Sequence, residues 1–228
     1  MNDAYYWVDR YIEFTTPHPY VDLGLPSGIL WAVKNVGASS PEDNGLYFSW
    51  GNVDGHAVDE NGNVTDGYSF DPDTYTTTSG GQYTGSILDA EHDAATINMG
   101  DDWRMPTVDE ILELIQNTDH YYIDEGGNTV YKSELSGSKK LRSICFVKKG
   151  EAFGYDNRTN FIEIPFAGNC YNSLLEHEGV NGCVLSSSVY EINGVSPHGL
   201  VFSNRGYVDC GSFNLLYQGR SVRGVKNN

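Results

Sequence analysis

Positive charge is scarce in this chain: Lys and Arg number 14 against 31 Asp and Glu, a formal net charge of -17. That balance opposes phosphate backbones and anionic lipid, because affinity for either is driven by Lys and Arg. No nucleic acid and no membrane insertion are therefore expected. No apolar run approaches the ~20 residues of a membrane-spanning helix. The start MNDAYYWVDRY has neither the basic nor the apolar region of a signal peptide, so a soluble chain without its own export signal is expected. Cysteine is sparse as well. Cys145, Cys170, Cys183 and Cys210 are widely spaced without a CxxC, which points away from a zinc site or a redox motif and towards buried free thiols. A Cys183–Cys210 bridge would need Cα atoms within about 7 Å. No cofactor and no metal are expected.

A second deficit is local. From Ile192 to Tyr217 there is no Lys, Glu, Gln, Met or Trp, although all five occur elsewhere in the chain. With average residue usage such a gap is about a one-in-a-hundred event for a window fixed in advance, and this window was chosen for its gap. These are the residues that no codon ending in C encodes. The plain alternative is a Gly/Ser/Asn-rich loop and edge-strand region that disfavours long charged side chains. The flanks, Leu185–Glu191 and Gly219–Val225, read as framework.

The rest of the chain supplies a scaffold of mixed strands and helices. Met1–Pro19 is aromatic-rich, ends in two prolines, and reads as an arm; residues 20–228 are expected to form one domain. Val21, Leu23 and Leu25 alternate with polar or small residues, and Pro26-Ser-Gly28 turns the chain into Leu30–Val33, a hairpin. Ser40-Pro41-Glu42-Asp43 reads as a helix start, with Leu46, Tyr47 and Trp50 as its buried stripe. Gly51–Gly85 is too long for an ordinary connection and reads as an insertion or a structured loop. Its Asp59-x-Asn61-x-Asn63 spacing is that of a calcium loop, but Val64 and Phe70 stand where the glycine and the glutamate belong. Asp89–Ala95 reads as a short helix. Thr107 and Glu110 make a capping box ahead of Val108, Ile111, Leu112 and Ile115 at helical spacing, so a helix that packs on a sheet is predicted. Asp119–Val130 reads as turn-rich, and strands are predicted around Ser143–Val147 and Phe161–Pro165. The expected class is α+β with a mixed, mostly antiparallel sheet, two main helices and long loops. The Gly219–Val225 strand is expected to pair with Tyr20–Leu25, bringing the termini together.

Tyr20–Gly28, Leu30-Trp-Ala32, Asn35–Ser39, Asp93-Ala-Ala95, Trp103–Thr107, Ile164–Gly168, Leu185–Ser188 and Gly219–Arg223 resemble the paralogous surface domains of gut anaerobes and their phages. That family is similar in fold to formylglycine-generating enzymes. It includes the C-type-lectin-fold variable proteins of diversity-generating retroelements. The resemblance spans roughly Tyr20–Val225, and it departs from the family at Cys183-Val-Leu185, where an aromatic is usual, and at Gly224, where proline often stands. It implies a C-type-lectin-like fold with a variable region at about residues 183–217, in which adenine-directed rewriting of AAC codons yields NNC codons. Those codons cannot specify the five missing residue types, and the bounding Glu191 and Gln218 are ones they cannot produce.

If the window forms a strand pair, Leu200, Phe202 and Val208 point into the core while Val201, Ser203, Tyr207 and Asp209 face outward. The residues expected to meet a ligand are Cys183, with Val184 beside it at the edge, and then Asn193, Val195, Ser196, His198, Ser203, Arg205, Tyr207, Asp209, Cys210, Ser212, Phe213, Asn214, Leu215 and Tyr217. Tyr207, Phe213 and Tyr217 would be the anchors. The partner implied is a protein or glycan receptor on a cell surface. It would be met by several copies of the chain, as in a homo-oligomer (trimer) on a fibre or virion, at a phage tail or a bacterial surface. Three rival readings stand beside this one. A non-diversified cell-surface adhesin needs only the framework. A calcium-dependent sugar-binding lectin would use Asn193, Asp209 and Asn214. A formylglycine-generating-like enzyme would use Cys183 with Cys210, and a Ser188–His198–Asp209 triad is a further arrangement to test, although no G-x-S-x-G elbow frames that serine.

Overall fold

A computed structural model describes residues 18–75, 86–191, 195–212 and 215–228, with Tyr190, Glu191 and Val195 described in backbone only. Residues 1–17 of the expected arm and 76–85 of the long loop lie outside these. The chain is α+β, with mostly antiparallel sheets and few helices.

Three strands join the first described strand to the last. β1 (Tyr20–Val21) pairs antiparallel with β2 (Leu30–Ala32), the expected hairpin, and β14 (Val225–Lys226) adds to the other side of β2. The expected partner of the C-terminal strand was β1. Instead the Lys226 ammonium lies 4.0 Å from the Tyr20 ring centroid, so β14 reaches β1 through a cation–π contact.

A five-stranded sheet carries the window. Its members are β3 (Tyr47–Phe48), β10 (Asn181–Glu191), β11 (Val195–Ser203), β12 (Val208–Ser212) and β13 (Arg220–Ser221), in the order β12-β11-β10-β13-β3. All neighbours are antiparallel except β10 and β13, which are parallel. A four-stranded antiparallel sheet, β5-β4-β6-β7, is built from β4 (Thr118–Asp124), β5 (Thr129–Val130), β6 (Leu141–Lys148) and β7 (Phe161–Pro165). β8 (Asn169–Tyr171) and β9 (Leu174–Glu176) form a small separate hairpin.

Helix α2 (Val108–Asn117) starts as its sequence requires: Thr107 caps the Glu110 N–H, and the Glu110 carboxylate returns to the Thr107 N–H at 2.8 Å. Its Ile111 and Leu114 pack in one apolar cluster with Val184, Leu200, Phe202, Ile144 and Ile162. The second cluster, with Phe48, Trp50, Leu88, Trp103, Cys183, Leu185 and Val222, draws on the opposite face of the five-stranded sheet and on α1 (Ala94–Met99).

Four local expectations are corrected. Ser40–Asp43 makes a turn, because Asp43 accepts from Ser39 N–H (2.8 Å), Ser39 O–H (2.7 Å) and Gly45 N–H (3.0 Å). Tyr47 and Phe48 then enter different apolar clusters, as adjacent strand residues do. Asp89–Ala95 is mostly turn; Asp93 is the cap of α1, accepting from Thr96 N–H at 2.9 Å. Asp119–Val130 is a hairpin, because Tyr121, Tyr122 and Ile123 pair with β6 and confine the turn to Asp124–Asn128. Gly219–Val225 divides between two sheets. The long loop, as far as Tyr75, folds back through bridges of Tyr47 to His56 and Phe70 to Asn172.

Replacing Leu200, fully buried in the first cluster, by Ala is expected to cost about 2–5 kcal/mol in urea denaturation. Tyr207→Ser on the next strand, at a side chain 52% exposed, is expected to stay within about 0.5 kcal/mol. Equal losses at the two positions would contradict the facing assigned here.

Candidate functional site

The window from Ile192 to Tyr217 supplies the edge hairpin of the five-stranded sheet, and period-two alternation sorts its side chains. Opposed residues of antiparallel strands share a face. One row, Val184–Leu200–Cys210, faces α2, with Phe202 and Val208 beside it. The opposite row is Cys183–Val201–Asp209. Leu200 and Phe202 are buried at 0% and 2% exposure, Val208 packs partly buried against the same core, and Val201 is half-buried.

On the face away from α2, Tyr207 donates its hydroxyl to the Asp209 carboxylate at 3.1 Å. Asp209 also accepts from the Cys210 N–H at 2.8 Å. Ser203 lies opposite the exposed Asn181. These residues, with half-buried Val201, form an outward strip on two adjoining strands.

The other candidates are dispersed. Ser196, His198, Cys210 and Ser212 belong to the α2 side or its margin; His198 is directly opposite Ser212, and its Nδ1 lies 3.1 Å from the Ser196 carbonyl. Arg205 is exposed at the β11–β12 turn. Leu215 and Tyr217 are half-buried in a segment that crosses towards β3: Leu216 O accepts from Trp50 N–H at 3.0 Å, and Tyr217 O from the Ser49 hydroxyl at 2.8 Å. The Tyr217 ring sits 6.3 Å from that of Tyr171. Asn193, Phe213, Asn214 and the Val195 side chain lie outside the described residues.

Cys183 and Val184 are corrections. Cys183 is 7% exposed in the second apolar cluster, with Arg220 hydrogen-bonded to its sulfur, and Val184 is fully buried. Both are packing residues because β10 is central, covered on each face.

Among the described residues the groups named for the enzyme readings do not come together. Cys183 and Cys210 occupy opposite faces of the sheet, and all four cysteines are free thiols. Burial raises the Cys183 and Cys170 thiols to about 12; burial, then Asp209 and Asp109, raise Cys210 to about 11. His198 and Asp209 also face opposite ways, so with Ser188 they form no relay. Among the described residues no group of three or more His, Cys, Asp and Glu is placed to hold a metal ion. Asp59 closes its own loop, accepting from Asn61 N–H at 2.9 Å and Asn63 N–H at 2.8 Å.

Sequence reasoning missed what the β11–β12 turn sits on. Asn204, inside the window, is buried and donates through Nδ2 to Lys139 O at 2.8 Å and Gly137 O at 3.3 Å. This places Tyr131–Lys139, more than sixty residues upstream, against the β11–β12 turn. Tyr131 is 72% exposed. No spacing or composition signal in the sequence links these segments.

A thiol reagent at mildly alkaline pH is expected to react slowly with Cys210 and negligibly with the other three until the chain is unfolded, since each thiol is raised by burial. Rapid labelling of Cys183 would contradict its burial. Comparison with protein-family models, curated proteins and solved structures finds no match, so the functional reading rests on the geometry above.

Proposed function

We propose that the chain is a ligand- or receptor-binding protein that displays a hypervariable surface on a C-type-lectin-like scaffold, serving phage tropism or surface adhesion. One observation carries the reading: within the stretch that lacks five residue types, buried Leu200 and Phe202 interleave with outward Ser203, Tyr207 and Asp209 on an edge hairpin. An outward row on a packed sheet can be rewritten at little cost, because surface substitutions usually move stability by no more than about 0.5 kcal/mol. Tyrosine there supplies contact area with few rotors, and Ser and Asp supply hydrogen bonds, as in antibody loops.

The scaffold reading has support from the pairing of both chain ends in one sheet and from helix α2 lying on the sheet that bears the window. The enzyme reading has less support, since its residues face apart. A single surface of this kind binds weakly, and several copies on a fibre would raise avidity by a factor of about a hundred or more.

The test exchanges Ser203, Tyr207 and Asp209 for other NNC-encoded residues, as in Ser203→Asn, Tyr207→Asp and Asp209→Tyr. Thermal melts and adherence of the labelled, multimerised chain to a panel of intact bacterial cells are measured. Unchanged melting with an altered pattern of adherence is the expected result. Tyr207→Ala should weaken adherence about 30-fold, the equivalent of about 2 kcal/mol. Unfolding at most of these positions would show that they are core and would end the reading.

A further inference from the structure

The β11–β12 turn and the segment it rests on make one continuous surface. A Cβ on Gly206 would stand 3.0 Å from Leu135 Cδ1 and 3.4 Å from Lys132 Cε, and one on Gly137 would stand 2.5 Å from Arg205 Nε. Arg205 therefore lies over Gly137, and Lys132 lies against Gly206. Each contact adjoins an exposed aromatic ring: Tyr131 precedes Lys132, and Tyr207 follows Gly206.

The charges here differ from those of the whole chain. Lys132, Lys139 and Arg205 gather at this end of a chain whose net charge is -17. Of the neighbouring carboxylates one is paired with a cation, and the other two accept from uncharged donors and keep their charge. Asp124 lies 3.5 Å from the Lys139 ammonium, Glu134 accepts from the Tyr131 N–H at 3.0 Å, and Asp209 accepts from the Tyr207 hydroxyl. Among the described residues no carboxylate lies within 4.0 Å of the charged groups of Arg205 or Lys132. Two exposed cations without a carboxylate in contact, in so acidic a chain, are complementary to an anionic ligand.

The remaining groups suit a sugar better than a peptide. Ser136 and Ser138, their hydroxyls 3.1 Å apart, flank Gly137 beneath Arg205 and offer donors and acceptors to ring hydroxyls. Tyrosine presents a flat apolar face with a polar tip, and guanidinium forks onto a carboxylate. An extended peptide is recognised through an open strand edge or a groove. Arg205 and Lys132 stand on turns whose backbone bonds close locally, Glu134 N–H to Tyr131 O, Lys139 N–H to Ser136 O and Gly206 N–H to Ser203 O, and the open edge of β12 begins past them, at Val208.

We propose that the recognition surface extends from the hairpin onto Tyr131–Lys139 and takes an acidic polysaccharide. Arg205 and Lys132 hold its carboxylates, and its rings lie on Tyr131 and Tyr207. This rests on the reading of the hairpin as a binding face.

Polygalacturonate is the probe, with dextran as the neutral and poly-glutamate as the peptide comparison. Binding is measured by interferometry at low and high salt, and thermal melts confirm that each variant is folded. Expected are binding of polygalacturonate in preference to both comparisons, a loss of about tenfold in Arg205→Gln and again in Lys132→Gln, and weakening at high salt. No polygalacturonate binding, binding indifferent to both substitutions, or equal binding of poly-glutamate would overturn the inference, the last in favour of an acidic peptide. Adherence to the cell panel separates the two readings. If Tyr207→Ala changes it while Tyr131→Ala and Lys132→Gln do not, and polygalacturonate is ignored, this inference falls and the proposed function stands. If none of these substitutions alters adherence, both fall.

Discussion

The guanidinium of Arg223, fully buried, ties the stretch between β13 of the five-stranded sheet and β14 of the terminal sheet to the end of β2. Its Nε donates to Asn35 Oδ1 at 2.9 Å, and Nη1 donates to the carbonyls of Ala32 (3.2 Å) and Val33 (3.0 Å). On either side of it, Val36 N–H donates to Val222 O and Ala32 N–H to Gly224 O. The chain crosses from the five-stranded sheet to the terminal sheet within this stretch. Burial lowers the Arg223 pKa to about 9, which expresses the cost of holding a cation in this place; the carbonyl cradle offsets it. Gly224 is constrained at the same crossing: a Cβ there would stand 2.7 Å from Met99 Sδ and 2.9 Å from Trp103 Cε3. The position of β13 beside β10, and with it the frame that carries the edge hairpin, depends on this strap.

What could be read from the sequence was local. The capping box of α2, the hairpin from Tyr20 to Ala32 and the strands of β6 and β7 are written in residues close together in the chain. So is the alternation from Leu200 to Asp209, because a strand's two faces follow from its own period. The misreadings arose where distant partners decide. Ser40-Pro-Glu-Asp43 has the residues of a helix start, yet Asp43 turns back on Ser39 and the chain is drawn into a strand by β13. Cys183 sits in a strand whose central place depends on a parallel neighbour nearly forty residues on, and its exposure could not be inferred from its surroundings in sequence.

Glu163 makes the same point in electrostatic terms. Its place in Phe161-Ile-Glu-Ile164 suggests a residue on the solvent side of an alternating strand, but it is 1% exposed. Arg142 and Arg158 approach it at 2.9 and 3.3 Å, and the hydroxyls of Ser143 and Tyr155 also donate to its carboxylate. A buried carboxylate is tolerated only with such a full set of partners. Two arginines of a cation-poor chain are committed here and Arg223 is committed at the crossing, which makes the cations left open beside the hairpin the more distinctive.

The anchoring of Asn204 sets a limit on how this surface can change over time. Its side chain holds two carbonyls of a distant segment, and its N–H holds a third, that of Val180, at 2.8 Å. A residue added or deleted on the β11 side of Asn204 would slip it from this seat, and a slip carried into the pairing with β11 would turn the side chains of β12 to the other face of the sheet. Under the proposed function, variation at this surface would be confined to a fixed-length alphabet, one letter exchanged for another at set positions. Antibody loops, which also vary in length, sample shape; this hairpin would keep its contour and sample only chemistry.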